Sequence, residues 1–477
     1  MNKWYYDALM VNRDPDWVFA LNKVPAEKAL QTVLDYFGAF TGYGITDLAL
    51  CVYEQSSVVP CGSLLWRGDK YLMKEEKGIP VDYSGLEGIY RYYREYDIDP
   101  VEVYLSVMKD HGIRPWIAFR MNDAHENSAP VVYLRDQEFF DKAAENGWMI
   151  GEEYGYYAHN YNFAAEEVRK RILDYIAEIA GRYDAFGFEL DFMREIYCFD
   201  FRHDHACCET MTGFIRDVRK ILNDFGAKRG HDIKLSVRLA RSAKEAKGYG
   251  FDASGWAKER LVDVIVPTAR WECTDSGIPV KEWREVLGDE VALIPGVETR
   301  FLKSTAIFPE ISKAYAAAWY AEGADGFYLN NHDYTAVERN IRSYDIHRKT
   351  ALEGLRRYVV TYQDITSLGE LWHPLPMDIP GSISISVGPI TKDSKAELII
   401  DFEGDTPPAV TVNGVRLHRP KAGKPFVRPD VSDPSRDVYI TENPLSYDMN
   451  GIVTDGQLDI AFDTAGTVKY IEVSIGN

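Results

Sequence analysis

Hydrophobic and polar positions follow two alternating patterns along most of the chain. Short apolar runs that end in turn residues alternate with stretches whose apolar residues recur every three or four positions, which is typical of a strand followed by an amphipathic helix. Residues 166–182 show the helical spacing, with apolar side chains at Val168, Ile172, Tyr175, Ile176 and Ile179. The apolar run at residues 185–192 then predicts a buried strand. This pair of elements is the repeating unit of an α/β fold.

Eight strand-then-helix units are predicted before residue 365. The predicted strands cover residues 7–12, 45–53, 113–119, 185–192, 233–239, 262–267, 291–295 and 326–329. A last helical region is expected within residues 336–362. No glycine fingerprint of a nucleotide-binding sheet follows the first strand, and eight is the number of units in a TIM barrel. The sequence therefore predicts a (β/α)8 barrel as the catalytic domain over residues 1–365.

The pattern changes to a period of two in the last part of the chain. Segments such as KAELIIDF and QLDIAF alternate apolar and polar residues, and Asn413-Gly414 is a typical hairpin turn. We therefore expect an all-β sandwich as an accessory domain over residues 371–477. Both sugar binding and a structural role against the barrel are compatible with this pattern.

Net charge, apolar runs and cysteine content exclude several classes of protein and of binding partner. The 54 Lys and Arg against 74 Asp and Glu give a net charge of -20, which argues against nucleic acid or an anionic membrane as partner. No apolar run has the length of a signal peptide or a membrane span, so the expected location is cytoplasmic. The six cysteines are too few and too irregularly spaced for a disulfide scaffold. A homo-oligomer remains compatible with the sequence.

Two carboxylates lie in the predicted fourth strand. Glu189 and Asp191 are two positions apart, so their side chains project from the same face. Burying two acids is costly unless they have cationic or hydrogen-bonding partners or a chemical use. Asp191 lies nearer the strand end and is expected to reach a cleft, whereas Glu189 is deeper. The alternative is that both form structural salt bridges with Arg238 or Arg120.

Active sites of TIM barrels lie at the carboxyl ends of the strands, and these ends are polar in this sequence. Glycoside hydrolysis needs two carboxyl groups that flank one bond, and strands four and seven of a barrel face each other. We therefore predict Asp191 and Glu298 as the catalytic pair. The separation of the two carboxyl groups decides between retention and inversion. The predicted substrate-binding residues are Glu189, Arg120, Asn122, Asp123, His125, Arg238, Arg270, Trp271, Glu272, Asn330 and His332.

No cofactor or metal is predicted. The cluster at residues 203–208, His-Asp-His-Ala-Cys-Cys, does not have the ligand spacing of common zinc sites. Long polar inserts follow the second and third strands, at residues 54–84 and 125–163. Such inserts would close one end of a cleft and favour an exo-acting enzyme.

Two stretches resemble a known family. The run NFAAEEVRKRILDYIAEIAGRYDAFGFELDFMRE and the run IDPVEVYLSVMKDHGIRPWIAFRMNDAH are similar to the helices and strands of the family-10-like glycosidase group. Together with IPGVE at Glu298, the resemblance covers most of residues 1–365. The resemblance implies a TIM barrel that hydrolyses carbohydrate. It does not specify the sugar, because the group is diverse. The Asn-Glu pair that ends the fourth strand of true family 10 xylanases does not occur at that position.

Three alternatives stay open. A fainter similarity to clan D α-glycosidases implies Asp191 as nucleophile, with Glu272 or Asp275 as the acid from strand six. A non-catalytic carbohydrate-binding barrel would keep the aromatic residues without needing both carboxylates. A barrel acting on a small carbonyl or phosphate compound is disfavoured, because no glycine-rich phosphate loop follows strands seven and eight.

Overall fold

The chain is described by a computed structural model. The described residues are 4–14, 17–21, 23–55, 57–58, 75–76, 78–80, 87–124, 127, 135–269, 277–298, 307–330, 346–360, 375–390, 393–430, 433–454 and 456–476.

Eight parallel strands form a closed barrel. Their bounds are β1 Ala8–Arg13, β2 Asp47–Glu54, β3 Arg114–Arg120, β4 Gly187–Asp191, β5 Lys234–Ala240, β6 Val264–Thr268, β7 Gly296–Glu298 and β8 Gly326–Asn330. Each strand pairs with its neighbours in chain order, and β1 pairs with both β2 and β8, which closes the sheet. A short strand, Ala292–Leu293, also pairs with β6. The predicted TIM barrel is thereby confirmed.

Helices alternate with the barrel strands. Their bounds are α1 Trp17–Ala20, α2 Ala26–Gly38, α3 Glu87–Arg94, α4 Pro100–Asp110, α5 Gln137–Glu145, α6 Glu166–Arg182, α7 Cys207–Arg229, α8 Ala243–Gly248, α9 Ala253–Lys258, α10 Val280–Leu287 and α11 Pro309–Glu322. Local signals begin and end several of them. Asp99 caps α4 by accepting from the backbone N–H of Val101, and Pro100 is its first residue. Gly230 ends α7 with a left-handed φ of 80°. None of the described helices has the length and apolar character of a membrane span.

Near the amino ends of β3 and β4, Gly187 packs directly against the ring of Trp116. A Cβ atom at Gly187 would lie 2.3 Å from the ring of Trp116, so only glycine allows this approach. Trp116 is fully buried, and its indole N–H donates to Asp47 of β2 at 2.8 Å. This packing fixes the register in which Arg120 lies beside Asp191 at the other end of the two strands.

The C-terminal part of the chain is an antiparallel sheet. Its strands are β9 Arg356–Val360, β10 Met377–Val387, β11 Lys395–Glu403, β12 Val410–Val412, β13 Val415–Arg416, β14 Lys421–Ala422, β17 Pro444–Asp448 and β18 Gly456–Gly476, while β15 Val427–Pro429 and β16 Asp437–Tyr439 form a separate pair. The 21-residue β18 pairs with β9, β10, β11 and β12.

The expectation of a helix up to residue 362 is wrong at its end. Gly354 has a φ of 70°, which terminates a short 3-10 turn at Thr350–Leu352, and β9 follows as a strand paired with β18. Because that partner lies far along the chain, the local pattern gave no sign of the pairing. Residues 331–345 of the expected helix lie outside the described part of the chain.

The chain divides into two compact units. One contains Met10–Val266 and Glu285–Ala292, and the other contains Met1–Leu9, Pro267–Arg284 and Leu293–Asn477. Within the second unit, α11 packs on the C-terminal sheet. The hydroxyl of Tyr315 donates to the carbonyl of Val359 at 2.8 Å, and Gly388 lies directly against Ala317. The predicted domains at 1–365 and 371–477 stay a prediction.

Candidate active site

Buried polar side chains lie at or near the carboxyl ends of β1, β3, β4 and β5, all within the unit formed by Met10–Val266 and Glu285–Ala292. These side chains are at most 4% exposed, and they are Asn12, Arg13, Arg120, Glu189, Asp191 and Arg238. Burying so many charges is costly unless each one has a partner. Their contacts therefore show how the site is built.

Asp191 is the last residue of β4 and accepts three hydrogen bonds. Its Oδ2 accepts from Nη1 of Arg238 at 2.8 Å. Its Oδ1 accepts from the backbone N–H groups of Met193 at 2.9 Å and Arg194 at 3.0 Å. These contacts hold the carboxylate in one orientation between Arg120 and Arg238, its register neighbours on β3 and β5. The ion pair with Arg238 is the contact that the structural alternative expected.

Glu189 lies two residues deeper in β4 and is fully buried. Its Oε1 accepts from Nδ2 of Asn12 at 2.8 Å. Its register neighbours are Ala118 on β3 and Ser236 on β5, and no charged residue is paired with it in register. The described contacts of Glu189 thus join β4 to β1 in the barrel interior.

Arg120 gathers three carboxyl groups at the ends of β1, β2 and β3. Its Nη2 donates to Oδ2 of Asp14 at 2.8 Å, and its Nη1 donates to Oε2 of Glu54 at 3.0 Å. Oδ2 of Asp123 lies 3.5 Å from the same Nη1 and 3.7 Å from Nε of Arg194. A single guanidinium therefore positions acids that come from three different strands or the loops after them.

Two of these acids have pKa values shifted in opposite directions. Burial raises the pKa of Glu54 well above its usual range. The negative charge of Asp123 and a hydrogen bond between Glu54 and Asp123 act in the same direction, whereas the positive charge of Arg120 acts against it. Burial also acts to raise the pKa of Asp14, but the charges of Arg120, Arg13 and Arg194 outweigh it and lower that pKa. One cluster thus contains one carboxyl group with a raised pKa and one with a lowered pKa, a common arrangement in acid–base catalysis.

Glu54 and Asp14 belong to the polar strand ends expected from the sequence, but they are not among the predicted site residues. Asp14 follows β1 and Glu54 ends β2, which is the position expected for active-site residues. Their shared contact with Arg120, and the proximity of Asp123 to Glu54, depend on the closed barrel. No local pattern in the sequence distinguishes Glu54 from an ordinary exposed acid.

Asn122 was predicted to bind substrate, and most of its described contacts are to the backbone of neighbouring loops. Its Nδ2 donates to the carbonyls of Tyr161 and Tyr197, each at 3.1 Å, and its Oδ1 accepts from the N–H of Tyr161 at 3.1 Å. The side chain is fully buried. These contacts fix the loops after β3 and β4, and a contact of Asn122 with substrate stays a prediction.

Glu298 and Asn330 form a separate pair in the other unit. They end β7 and β8, where they are register partners, and each is 3% exposed. Nδ2 of Asn330 donates to Oε2 of Glu298 at 2.7 Å. The structure therefore brings together two of the predicted site residues at the carboxyl ends of these strands.

The remaining predicted residues, and the alternative acid of strand six, lie outside the described part of the chain. They are His125, Arg270, Trp271, Glu272, Asp275 and His332. Within the described ranges, no group of three or more His, Cys, Asp or Glu side chains could hold a metal ion. In the cluster at residues 203–208, Nδ1 of His203 contacts Asp200 at 2.6 Å, and Cys207 and Cys208 are free thiols.

Comparisons with known proteins give structural likeness only. No protein-family model matches the sequence, and no curated protein matches it. Similar solved structures include a cycloisomaltooligosaccharide glucanotransferase from Paenibacillus sp. (12% identity, 99% of this chain and 57% of that chain, TM-score 0.37). Another is α-L-fucosidase isoenzyme 2 from Paenibacillus thiaminolyticus (9% identity, 72% of this chain and 48% of that chain, TM-score 0.40). A third is a GH29 α-L-fucosidase from Bacteroides thetaiotaomicron (10% identity, 99% of this chain and 93% of that chain, TM-score 0.39).

The chain spans about half the length of the first two of these structures. Glycoside hydrolases are thus among its structural neighbours, but identities of this size concern the fold and leave the reaction of this chain open. None of the comparisons confirms the resemblance to the family-10-like glycosidase group, and that assignment stays a prediction.

Proposed function

We propose that this chain is a glycoside hydrolase that cleaves an O-glycosidic bond of an oligosaccharide or a simple glycoside, with exo action. The observation that carries the proposal is the cluster around Arg120. Glu54, whose pKa is raised, and Asp14, whose pKa is lowered, lie in this cluster, and glycoside hydrolysis requires one carboxyl group that donates a proton and one that is ionised. Exo action rests on the long inserts after the second and third strands.

The chemistry needs one carboxyl group to donate a proton and one carboxylate to attack. The acid protonates the glycosidic oxygen as its bond to the anomeric carbon breaks. The carboxylate either forms a glycosyl ester, which water then hydrolyses with the first group acting as base, or it takes a proton from an attacking water. Asp191 is the proposed carboxylate. Its three hydrogen bonds orient it at the end of β4.

Two residues are candidates for the acid. Glu298 is the partner predicted from the sequence, and it has Asn330 as a hydrogen-bond donor. Glu54 is the second candidate because its raised pKa keeps it protonated at higher pH than an ordinary glutamate. The two assignments can be distinguished by changing the leaving group of the substrate. Substitution of the residue that acts as the acid should make the hydrolysis rate depend on how readily the leaving group departs without a proton.

The test is hydrolysis of α- and β-linked 4-nitrophenyl glycosides by the wild type and by the variants Asp191→Asn, Glu298→Gln and Glu54→Gln. Loss of the attacking carboxylate lowers the rate by several orders of magnitude on every substrate. Loss of the acid is nearly harmless on 2,4-dinitrophenyl glycosides, because that leaving group departs without a proton. The variant that recovers on 2,4-dinitrophenyl substrates identifies the acid.

Asp174→Asn provides a matched control, since Asp174 is an exposed aspartate on α6 that pairs only with Lys170 among the described residues. Full activity of both Asp191→Asn and Glu298→Gln would contradict the proposed pair. Loss in Asp191→Asn with Glu298→Gln and Glu54→Gln unaffected would instead favour the clan D alternative with Glu272 or Asp275. Sugar binding without turnover of any glycoside would favour the non-catalytic barrel.

A further inference from the structure

A pocket of about 550 Å³ lies on the solvent-facing side of the C-terminal sheet. Lys395, Ala396 and Glu397 of β11 line it, whereas the next residue, Leu398, is buried in the core. Ser446 of β17 lies in the same lining. Most of the lining is polar or charged, and Leu355, Ala396 and Gly476 are its other members.

Three cations line the pocket without ion-pair partners among the described residues. They are Lys395, Arg419 and Lys421. The ion pairs described in this sheet join other residues, namely Arg357 with Glu472, Arg416 with Asp463, Arg436 with Asp430 and Lys469 with Glu403. These three cations outnumber the two carboxylates of the lining, Glu397 and Asp448. The pocket therefore carries a net positive charge in a chain of net charge -20, which suits an anionic group.

The two acids of the pocket already accept hydrogen bonds from their own neighbours. Glu397 accepts from the hydroxyl of Ser446, and Oδ1 of Asp448 accepts from the N–H of Asn450 at 2.8 Å. The side-chain oxygen of Asn450 accepts from the N–H of Ala396 at 2.9 Å. The amide nitrogen of Asn450 and the second oxygens of the acids can still bond to a ligand, and a ligand rich in hydroxyl groups offers both donors and acceptors.

A second pocket of about 490 Å³ adjoins the first. The two share His418 and Arg419 in their linings. The second pocket is lined by apolar residues as well, including Pro407, Pro408 and Leu417. An extended ligand could therefore place one unit in each pocket, with Arg419 between them.

We propose that these two pockets bind an acidic saccharide of at least two sugar units. A carboxylate or sulfate group of the sugar contacts Lys395, Arg419 and Lys421, and its hydroxyl groups contact Asn450 and the neighbouring acids. The C–H faces of the next unit lie against the apolar lining of the second pocket. This site does not depend on the reaction of the barrel, and it gives the C-terminal sheet a binding role of its own.

The test uses the full chain and isothermal titration calorimetry with three probes of equal length. They are a trigalacturonate, a sulfated maltotriose and unmodified maltotriose. We expect one or both acidic probes to bind and maltotriose to bind at least about tenfold more weakly, since charge-assisted hydrogen bonds supply much of the affinity. Binding by the uronate alone identifies a carboxylate ligand, and binding by the sulfated probe alone identifies a sulfate ligand.

The double variant Arg419→Ala/Lys421→Ala should weaken binding of the acidic probe at least about tenfold. The control is Arg436→Ala/Lys469→Ala, which removes the same charge from two exposed residues of the C-terminal part of the chain that line neither pocket. Equal loss in both double variants, unchanged affinity in Arg419→Ala/Lys421→Ala, or no binding of either acidic probe overturns the proposal. Thermal midpoints equal to that of the wild type show that the variants are folded.

Discussion

Asp191 and Arg238 are joined by one buried hydrogen bond between opposite charges. The side chains are each 2% exposed, and the two atoms lie 2.8 Å apart. Removing one partner of such a pair leaves an uncompensated charge in the interior, which typically lowers the free energy of unfolding by about 3–5 kcal/mol. Because Asp191 also accepts two backbone hydrogen bonds, removal of Arg238 is the cleaner test.

We predict that Arg238→Met lowers the free energy of unfolding by about 3–5 kcal/mol. In the Arg238→Met variant, the further substitution Asp191→Asn should cost much less than it does in the wild type, because it removes a buried negative charge that has lost its cationic partner. Urea denaturation of the four proteins of this double-mutant cycle measures the coupling. The exposed pair Lys170 and Asp174 serves as control, with a coupling of about 0.5 kcal/mol or less. Additive effects of the two buried substitutions would contradict the prediction.

Glu54 gives a prediction about pH. Its pKa is raised in the folded protein, so ionisation begins in the unfolded chain first, near the ordinary value of 4.5. As pH rises above that value, the buried carboxyl group increasingly destabilises the fold, until it ionises in the folded protein as well. Glu54→Gln removes this cost. The thermal midpoint of the variant should therefore rise relative to the wild type as pH increases from about 4.5, and a constant difference across that range would contradict the shifted pKa.

At the scale of elements, the barrel strands could be predicted because their signal is local. A short apolar run and the polar residues at its end lie within a few positions of each other, as in 185–192, where the cost of burying Glu189 and Asp191 also pointed to the candidate site. β9 was missed because its strand character comes from pairing with β18, more than a hundred residues later. The role of Glu54 was missed for the same reason, since Arg120 and Asp123 set its environment.

The contact between β3 and β4 also gives a prediction. Gly187→Ala would place a methyl group against the buried ring of Trp116, so we expect a loss of about 1–3 kcal/mol or more in the free energy of unfolding. Gly213→Ala is the matched control, because a Cβ there meets nothing within 4 Å and lies inside α7. That variant should gain about 0.5–1 kcal/mol. Urea denaturation measures both, and equal stabilities would show that Trp116 can move aside.

At the scale of the whole molecule, the predicted boundary near residue 365 separates elements that contact one another. β9 lies before the boundary and pairs with β18 after it, and α11 contacts both β9 and Gly388. A chain cut at residue 365 would therefore leave β9 without its partner strand and expose the buried side of α11.

We accordingly predict that residues 1–365 expressed alone do not form a stable barrel. Circular dichroism on heating should show a broad, non-cooperative transition, and limited proteolysis should cleave the fragment faster than the full chain. A cooperative transition at the midpoint of the full-length protein would instead establish the barrel as an independent domain.

β18 has a consequence for how the protein is made. The strands β9, β10, β11 and β12 leave the ribosome in turn, but the strand with which all four pair is synthesised after them. Until then each presents unpaired backbone groups, and the face of α11 that contacts β9 is open to water. The complete sheet therefore assembles only after β18 has been synthesised, and until then the unpaired edges of the earlier strands are open to association with other chains.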